Sequence, residues 1–188
     1  MRKLVAFNNV TLDGYFSATN GDISWANSGE DGEFNAFVAD NAKSGGALLL
    51  GRVTYDLMAS YWPTPLAMKT DPVVAERMNA MQKFVCSRTM ESAAWNNTTV
   101  VNGALPIEVR RLKQEPGPGM AILGSGSIVT QLAQAGLIDE FQVVVNPVVL
   151  GSGRTMFDGI SSRLSLKLMK SRTFPSGRVY LCYEPANR

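Results

Sequence analysis

The sequence predicts an α/β protein: a mixed, mostly parallel central sheet, helices flanking it, and an antiparallel C-terminal hairpin. Three observations carry this prediction. Apolar runs of strand length alternate with apolar stripes at helical spacing until the last third of the chain. Several of those runs stop at turns of glycine, serine and arginine. The last third instead holds two runs that alternate apolar and polar residues around Pro175-Ser176-Gly177, which is a hairpin pattern. At 188 residues the chain has the size of one domain, and residues 1–188 read as one.

Each element follows from local chemistry. Leu4-Val5-Ala6-Phe7 reads as a short buried strand. Asp13-Gly14 and Thr19-Asn20-Gly21-Asp22 mark turns, so Thr11 to Gly29 reads as one long loop, of a length that often carries function. Phe34, Phe37 and Val38 repeat at i, i+3, i+4 behind Glu30, Asp31 and Glu33; this is an amphipathic helix with acids at its positive end, closed by Gly45-Gly46. Ala47 to Leu50 is a buried strand, and Val53, Leu57 and Met58 form a helical stripe behind it. Pro63, Pro65 and Pro72 break the chain before a short helix from Val73 to Met81. Strands are expected at Phe84 to Cys86, Thr98 to Val101, Met120 to Leu123 and Phe141 to Val145. Helices are expected around Ile107 to Leu112 and around Ile128 to Ala133, the latter ending at Gly136. Leu164, Leu166 and Leu168, then Val179, Leu181 and Tyr183, form the half-buried faces of the hairpin.

Composition narrows the chemistry. Apolar residues make up 45% and charged residues 18%, a globular balance, and a net charge of +2 supports neither a nucleic-acid nor a membrane partner. The chain has no histidine, which removes Ser-His and Cys-His nucleophiles, imidazole acids and His-ligated zinc; no metal site is expected. Two distant cysteines, Cys86 and Cys182, make no disulfide framework. The apolar run after Met1-Arg2-Lys3 is too short for a signal peptide or a membrane helix, so a cytoplasmic location is expected.

Three strand ends share one feature. Leu50 leads into Gly51-Arg52-Val53-Thr54, Cys86 into Ser87-Arg88-Thr89, and Leu123 into Gly124-Ser125-Gly126-Ser127. Ligands of open α/β sheets bind beyond the carboxyl ends of the strands. Two of these turns open helices, whose unpaired N–H groups and dipoles favour an anion. Gly124-Ser125-Gly126-Ser127 alone reads equally as a helix entry with a serine cap. Three such turns in one chain point to a pyrophosphate and one further phosphate. The spacing is neither that of a Rossmann fingerprint nor that of a Walker loop.

These segments carry a resemblance. Val10 to Phe16, Leu49 to Tyr55, Val85 to Thr89, Ile122 to Ser127, Leu137 to Phe141 and Pro147 to Gly153 resemble, in order and spacing, the dihydrofolate reductase-like superfamily. Within it they look most like the riboflavin-biosynthesis reductase (RibD) C-terminal domain family. The resemblance spans residues 3 to 184 and implies NADPH as cofactor. Gly51, Arg52, Val53 and Thr54 would lie by the pyrophosphate, Arg52, Ser87, Arg88 and Thr89 around the adenosine and its 2′-phosphate, and Gly124, Ser125, Gly126, Ser127, Ile128 and Val129 by the pyrophosphate and nicotinamide. Relatives pair through the sheet edge and hairpin, so a homodimer is implied. Two positions depart from the pattern: Ser125 stands between the glycines of the late turn, and Tyr15 stands where the riboflavin enzymes carry a basic residue.

Hydride transfer must be matched by a proton, and without histidine that leaves a carboxylate, Tyr, Lys, Cys or water. Asp13 is the first candidate, although an aspartate before glycine is also a turn former. Glu30, Asp31 and Glu33 flank the same region and read equally as helix N-terminal charges. Trp25, Tyr55, Tyr61 and Trp62 are expected to line a flat pocket, together with Phe34 and Phe37, which read first as core. The expected activity is NADPH-dependent reduction of a small heterocycle, a pterin or an aminouracil. The rivals are an NADP(H)-binding sensor or scaffold without turnover, and a dihydrofolate reductase proper.

Overall fold

A computed structural model describes residues 1–26, 31–43 and 46–186; the expectations placed on Gly29, Glu30 and Gly45 lie outside the described residues. In chain order the elements are β1 (Leu4–Thr11), β2 (Tyr15–Ser17), α1 (Gly32–Lys43), β3 (Ala47–Gly51), α2 (Arg52–Tyr61), α3 (Pro65–Thr70), α4 (Pro72–Ala80), β4 (Gln82–Cys86), β5 (Thr98–Val101), α5 (Leu105–Gln114), β6 (Met120–Leu123), α6 (Gly126–Gln134), β7 (Glu140–Asn146), β8 (Arg154–Thr155), β9 (Leu166–Thr173) and β10 (Val179–Pro185).

The main sheet has the order β5-β4-β3-β6-β1-β7-β10-β9. The strands from β5 to β7 pair in parallel, and β10 and β9 close the sheet antiparallel. Every residue of β3 is buried, as expected of a parallel strand covered on both faces. One face packs against α5 and α6, with Leu4, Ala6, Leu49, Ile122, Val109 and Leu132 in a single core. On the other face Leu48, Leu50 and Val85 pack under Val74 and Met78 of α4. Further along that face, Phe34 of α1 packs on Val144, Phe174 and Tyr180. Each such buried Leu, Ile or Phe contributes about 1.5–3 kcal/mol relative to exposure.

Between those two clusters the sheet is left partly bare. Along β1, Leu4, Ala6 and Asn8 are buried on the α5–α6 side, whereas Val5, Phe7 and Asn9 are only half-buried. Ala121 and Leu123 of β6 repeat that pattern. The period-two alternation thus becomes a floor of half-covered side chains between α1 on one side and α2 with α4 on the other.

The structure corrects several expectations. The first strand runs on to Thr11, because its ladder with β7 carries through Asn8 and Asn9. The loop from Thr11 is partly structured: β2 pairs with β8, and residues 24–26 form one turn of 3-10 helix. The proline stretch contains an extra helix, α3, capped by Thr64. Strand β9 starts at Leu166, and its outer position leaves Leu168 and Met169 close to half exposed instead of forming a buried face. Asp139 of the Leu137 to Phe141 motif accepts from the Leu4 N–H at 2.6 Å and pairs with the buried Lys113, tying β1 to α5.

Candidate functional site

Parallel pairing brings the strand ends into one row. Gly51 is in register with Cys86, Cys86 with Val101, and Leu49 with Ile122. The carboxyl ends of β5, β4, β3 and β6 therefore stand side by side, spanning about 14 Å at the usual strand spacing. They open on a cleft of about 1440 Å³ that continues onto the half-bare floor of β1 and β6.

The helices that start at this row differ from the others. Helices α3 and α4 are capped by the side chains of Thr64 and Asp71, and Asp31 accepts the Phe34 N–H at the start of α1. Helices α2, α5 and α6 begin at Gly51, Ala104 and Ser125 with no side-chain cap. All three of those starting residues line the cleft. The N–H groups at the starts of α2 and α6 are thus left for an anion from outside the chain, whereas at α5 Pro106 has no N–H and the Glu108 carboxylate stands beside Gly103. Arg52, Arg88 and Arg154 also line the cleft and add positive charge.

Short contacts hold the row together. Ser125 Oγ accepts from the Gly51 N–H at 3.0 Å and shares a hydrogen bond with Thr54 Oγ1 at 2.8 Å. A Cβ on Gly51 would come 2.5 Å from Ser125 Oγ, and one on Gly126 would come 2.9 Å from the Phe16 ring, so both turns need glycine. Arg52 donates to Thr89 Oγ1 at 3.2 Å and lies 3.5 Å from Asp56. Ser87 Oγ accepts from the Thr89 and Met90 N–H groups, which shapes the turn carrying Arg88.

Of the residues expected around a cofactor, Gly51 to Thr54, Ser87, Arg88 and Gly124 to Ile128 all line the cleft. Thr89 stands behind the cleft lining, on Arg52. Val129 is wholly buried in the core, because the helical turn after Ile128 points it at the sheet. Gly103, Ala104 and Leu105 also line the cleft and were not anticipated; a glycine just after a strand and before a helix was the available signal.

The expected substrate residues separate. Trp62 lines the cleft. Trp25 sits on the 3-10 turn, and its neighbours Ile23 and Ala26 reach the cleft in its place. Tyr55 is 4% exposed and belongs to the core, its hydroxyl accepting the Trp95 N–H at 3.0 Å. Asp31 is spent on the Phe34 N–H and on the Ser176 N–H of the β9–β10 turn. Glu33 pairs with Arg172 at 3.3 Å on the surface.

Asp13 also faces away from the cleft. Its carboxylate takes the Thr11 hydroxyl at 2.5 Å and the N–H groups of Gly151 at 2.8 Å and Leu150 at 3.2 Å, clipping two loops together. The Thr11 hydroxyl, then those N–H groups, hold its carboxyl below the usual range, which suits an anchor and not an acid. Cys86 lines the cleft, but burial, with Glu108 adding, pushes its thiol up to about 12 and keeps it protonated. Asn8 lines the cleft too, and its buried amide nitrogen has no hydrogen-bond partner among the described residues. That is a polar group a bound ligand would satisfy.

A parallel sheet with uncapped helices at its strand ends and an antiparallel C-terminal pair is the dihydrofolate reductase-like fold. The family model of the RibD C-terminal domain matches residues 2–180, and the chain belongs to that family. It is similar to the uncharacterized protein YyaP of Bacillus subtilis (strain 168), with 32% identity over 97% of this chain and 94% of that one. Among solved structures it is similar to a protein assigned to riboflavin biosynthesis from Shewanella sp. PV-4, with a TM-score of 0.75, 23% identity, and 98% and 99% of the two chains covered. It is also similar to dihydrofolate reductase from Enterococcus faecalis complexed with NADP(H), with a TM-score of 0.67, 14% identity, and 98% and 97% covered. Among the described residues, no helix is long and apolar enough to cross a membrane.

Proposed function

We propose that the protein is an NADPH-dependent reductase that delivers hydride to a small heterocycle of pterin or aminouracil type. The observation that carries this reading is the row of three uncapped helix starts, at Gly51, Ala104 and Ser125, sharing one cleft with Arg52 and Arg88. The residues fit a dinucleotide with three phosphates. Arg52 and Arg88 would take the 2′-phosphate, and the N–H groups at the starts of α2 and α6 would take the pyrophosphate. When bound, NADPH supplies the hydride. Membership of the RibD C-terminal domain family supports the same reading.

The chain's own residues position and exclude more than they protonate. Among the described residues the one carboxylate lining the cleft is Asp158, whose main-chain carbonyl is held by Thr130 of α6, on the cofactor side. Hydride adds to the carbon of a C=N or C=O bond, and the matching proton reaches the heteroatom from water entering the open cleft. The same observation is what favours the rival reading, a NADP(H)-binding domain without turnover. The reductase reading also expects a homodimer formed through the edge strand β9, which exposes Leu168 and Met169.

A tryptophan-fluorescence titration with NADPH and NADH, followed by NADPH oxidation against a panel of pterins and aminouracils, tests the assignment. Tighter NADPH binding together with turnover of a panel member is expected. Tight binding without turnover of any member supports the rival, and absence of NADPH binding removes both.

A further inference from the structure

The cleft changes character along its length. Its cofactor end is cationic, with Arg52, Arg88 and Arg154 in the wall. Its other end, over β1 and β6, is walled by Phe7, Val38, Met58, Trp62, Met78 and Leu123. The polar side chains there are the amides of Asn9, Asn41 and Gln142, which donate and accept but carry no charge. Among the described residues the one ionisable side chain lining this end is Lys3, and Glu140 already neutralises it in an ion pair. Asp158 stands at the opposite end.

We infer that the substrate is un-ionised: a planar, largely apolar ring with carbonyl and N–H groups along one edge, and with neither phosphate nor carboxylate. This rests on the reductase reading and narrows it. A phosphate or carboxylate seated between Phe7, Met58 and Trp62 would give up its hydration and find, among the described residues, no cation but Lys3, which Glu140 already holds. A neutral ring loses little water there, and its edge meets amides that are already partly engaged: Asn9 accepts from Asn146, which leaves it N–H groups to give, and Gln142 donates to Glu140, which leaves it a carbonyl to accept. The charge a reductase of this fold must recognise is therefore confined to the cofactor end.

Equilibrium dialysis of the full chain with lumazine and with lumazine-6-carboxylate, with and without NADPH, decides the matter at mildly acidic pH, where the lumazine ring is uncharged. Lumazine is expected to bind more tightly than its carboxylate by a factor on the order of 10–100. Equal or tighter binding of the carboxylate overturns the inference, and so does failure of lumazine to bind. Leu57 lines the same end and is 49% exposed, so Leu57→Arg adds a cation there without disturbing the core. That variant is expected to bind the carboxylate about tenfold more tightly than the parent chain does, with no gain for lumazine; no gain for the carboxylate overturns the inference as well. NADPH affinity is read separately by tryptophan fluorescence on the same samples. Its loss would remove the reductase reading while leaving the comparison of the two ring compounds to stand by itself.

Discussion

Ser125 and Gly51 are joined by a hydrogen bond of 3.0 Å from the Gly51 N–H to the Ser125 hydroxyl, which locks the end of β6 to the end of β3. Ser125 is held at φ 56°, a left-handed conformation that costs a non-glycine residue about 1–2 kcal/mol. Its hydroxyl offsets that cost through Gly51 and Thr54. Ser125→Ala keeps the strain and loses the hydrogen bonds, so unfolding free energy should fall by about 1–2 kcal/mol in urea melts. Ser125→Gly loses the same bonds but relieves the strain, and should stay within about 0.5 kcal/mol of the parent.

Arg88 projects from the turn after β4 and is exposed at the cleft. Charge-assisted hydrogen bonds to a phosphate are worth about 1.5–3 kcal/mol, so Arg88→Ala should weaken NADPH binding on the order of 10–100-fold. NADH lacks the 2′-phosphate, and its affinity should change little. A fluorescence titration with both cofactors checks this, and equal losses for both would place the phosphate elsewhere.

Asp13→Asn should leave NADPH binding and turnover close to those of the parent, because Asp13 anchors Leu150 and Gly151 away from the cleft. Its effect should appear in stability. Hydrogen bonds to the carboxylate hold its folded pKa below the unfolded one. The stabilisation is therefore full above the ordinary carboxylate range and is lost as pH falls through the folded value. Parent and variant melts should diverge at neutral pH and converge in strong acid.

Lys113 and Asp139 form a nearly buried ion pair, and the same aspartate holds the Leu4 N–H. Asp139→Ala would leave the ammonium its hydrogen bond to the Leu137 carbonyl at 2.7 Å but remove its counter-charge, and should cost about 3–5 kcal/mol. Thermal melts of Asp139→Ala beside the double variant Asp139→Ala with Lys113→Met would separate the orphaned charge from lost packing, because the double variant removes that charge.

Lys83 is wholly buried, donating to the carbonyls of Asn79, Met81 and Asn96 and lying 4.3 Å from the Trp95 ring centroid. Burial lowers its ammonium to about 8. The unfolded chain keeps that proton up to about pH 10.4. Between those values the unfolded state binds more protons, so this residue's contribution to stability rises with pH; below the folded value the burial cost is fully present. The parent should therefore gain stability relative to Lys83→Met as pH rises through that window, read by urea melts at a series of alkaline pH values.

Much of the parallel half is legible locally. The apolar runs at Ala47 to Leu50 and Met120 to Leu123, and the helical stripe of Ile128, Val129, Leu132 and Ala133, are short-range patterns that tertiary contacts confirm. The turns at Gly51, Ser87 and Gly124 are legible for the same reason: glycine and serine after a buried strand mark a backbone that is about to change direction. Less legible was the inward or outward sense of individual side chains. Tyr55 and Trp62 look alike as aromatic pocket candidates, yet one is in the core and the other on the cleft wall, because helix rotation against the sheet is a property of the packed pair.

Periodicity and turn chemistry were enough to establish an α/β chain with glycine-rich strand ends and no imidazole, since those depend on neighbours a few residues apart. Strand order and register, settled only when distant segments pair, placed Gly51, Ser87, Ala104 and Gly124 along one edge, sent Asp13 to the outside, and left one face of β1 and β6 half-covered. Those outcomes depend on contacts between residues far apart in the chain, and no local pattern encodes them.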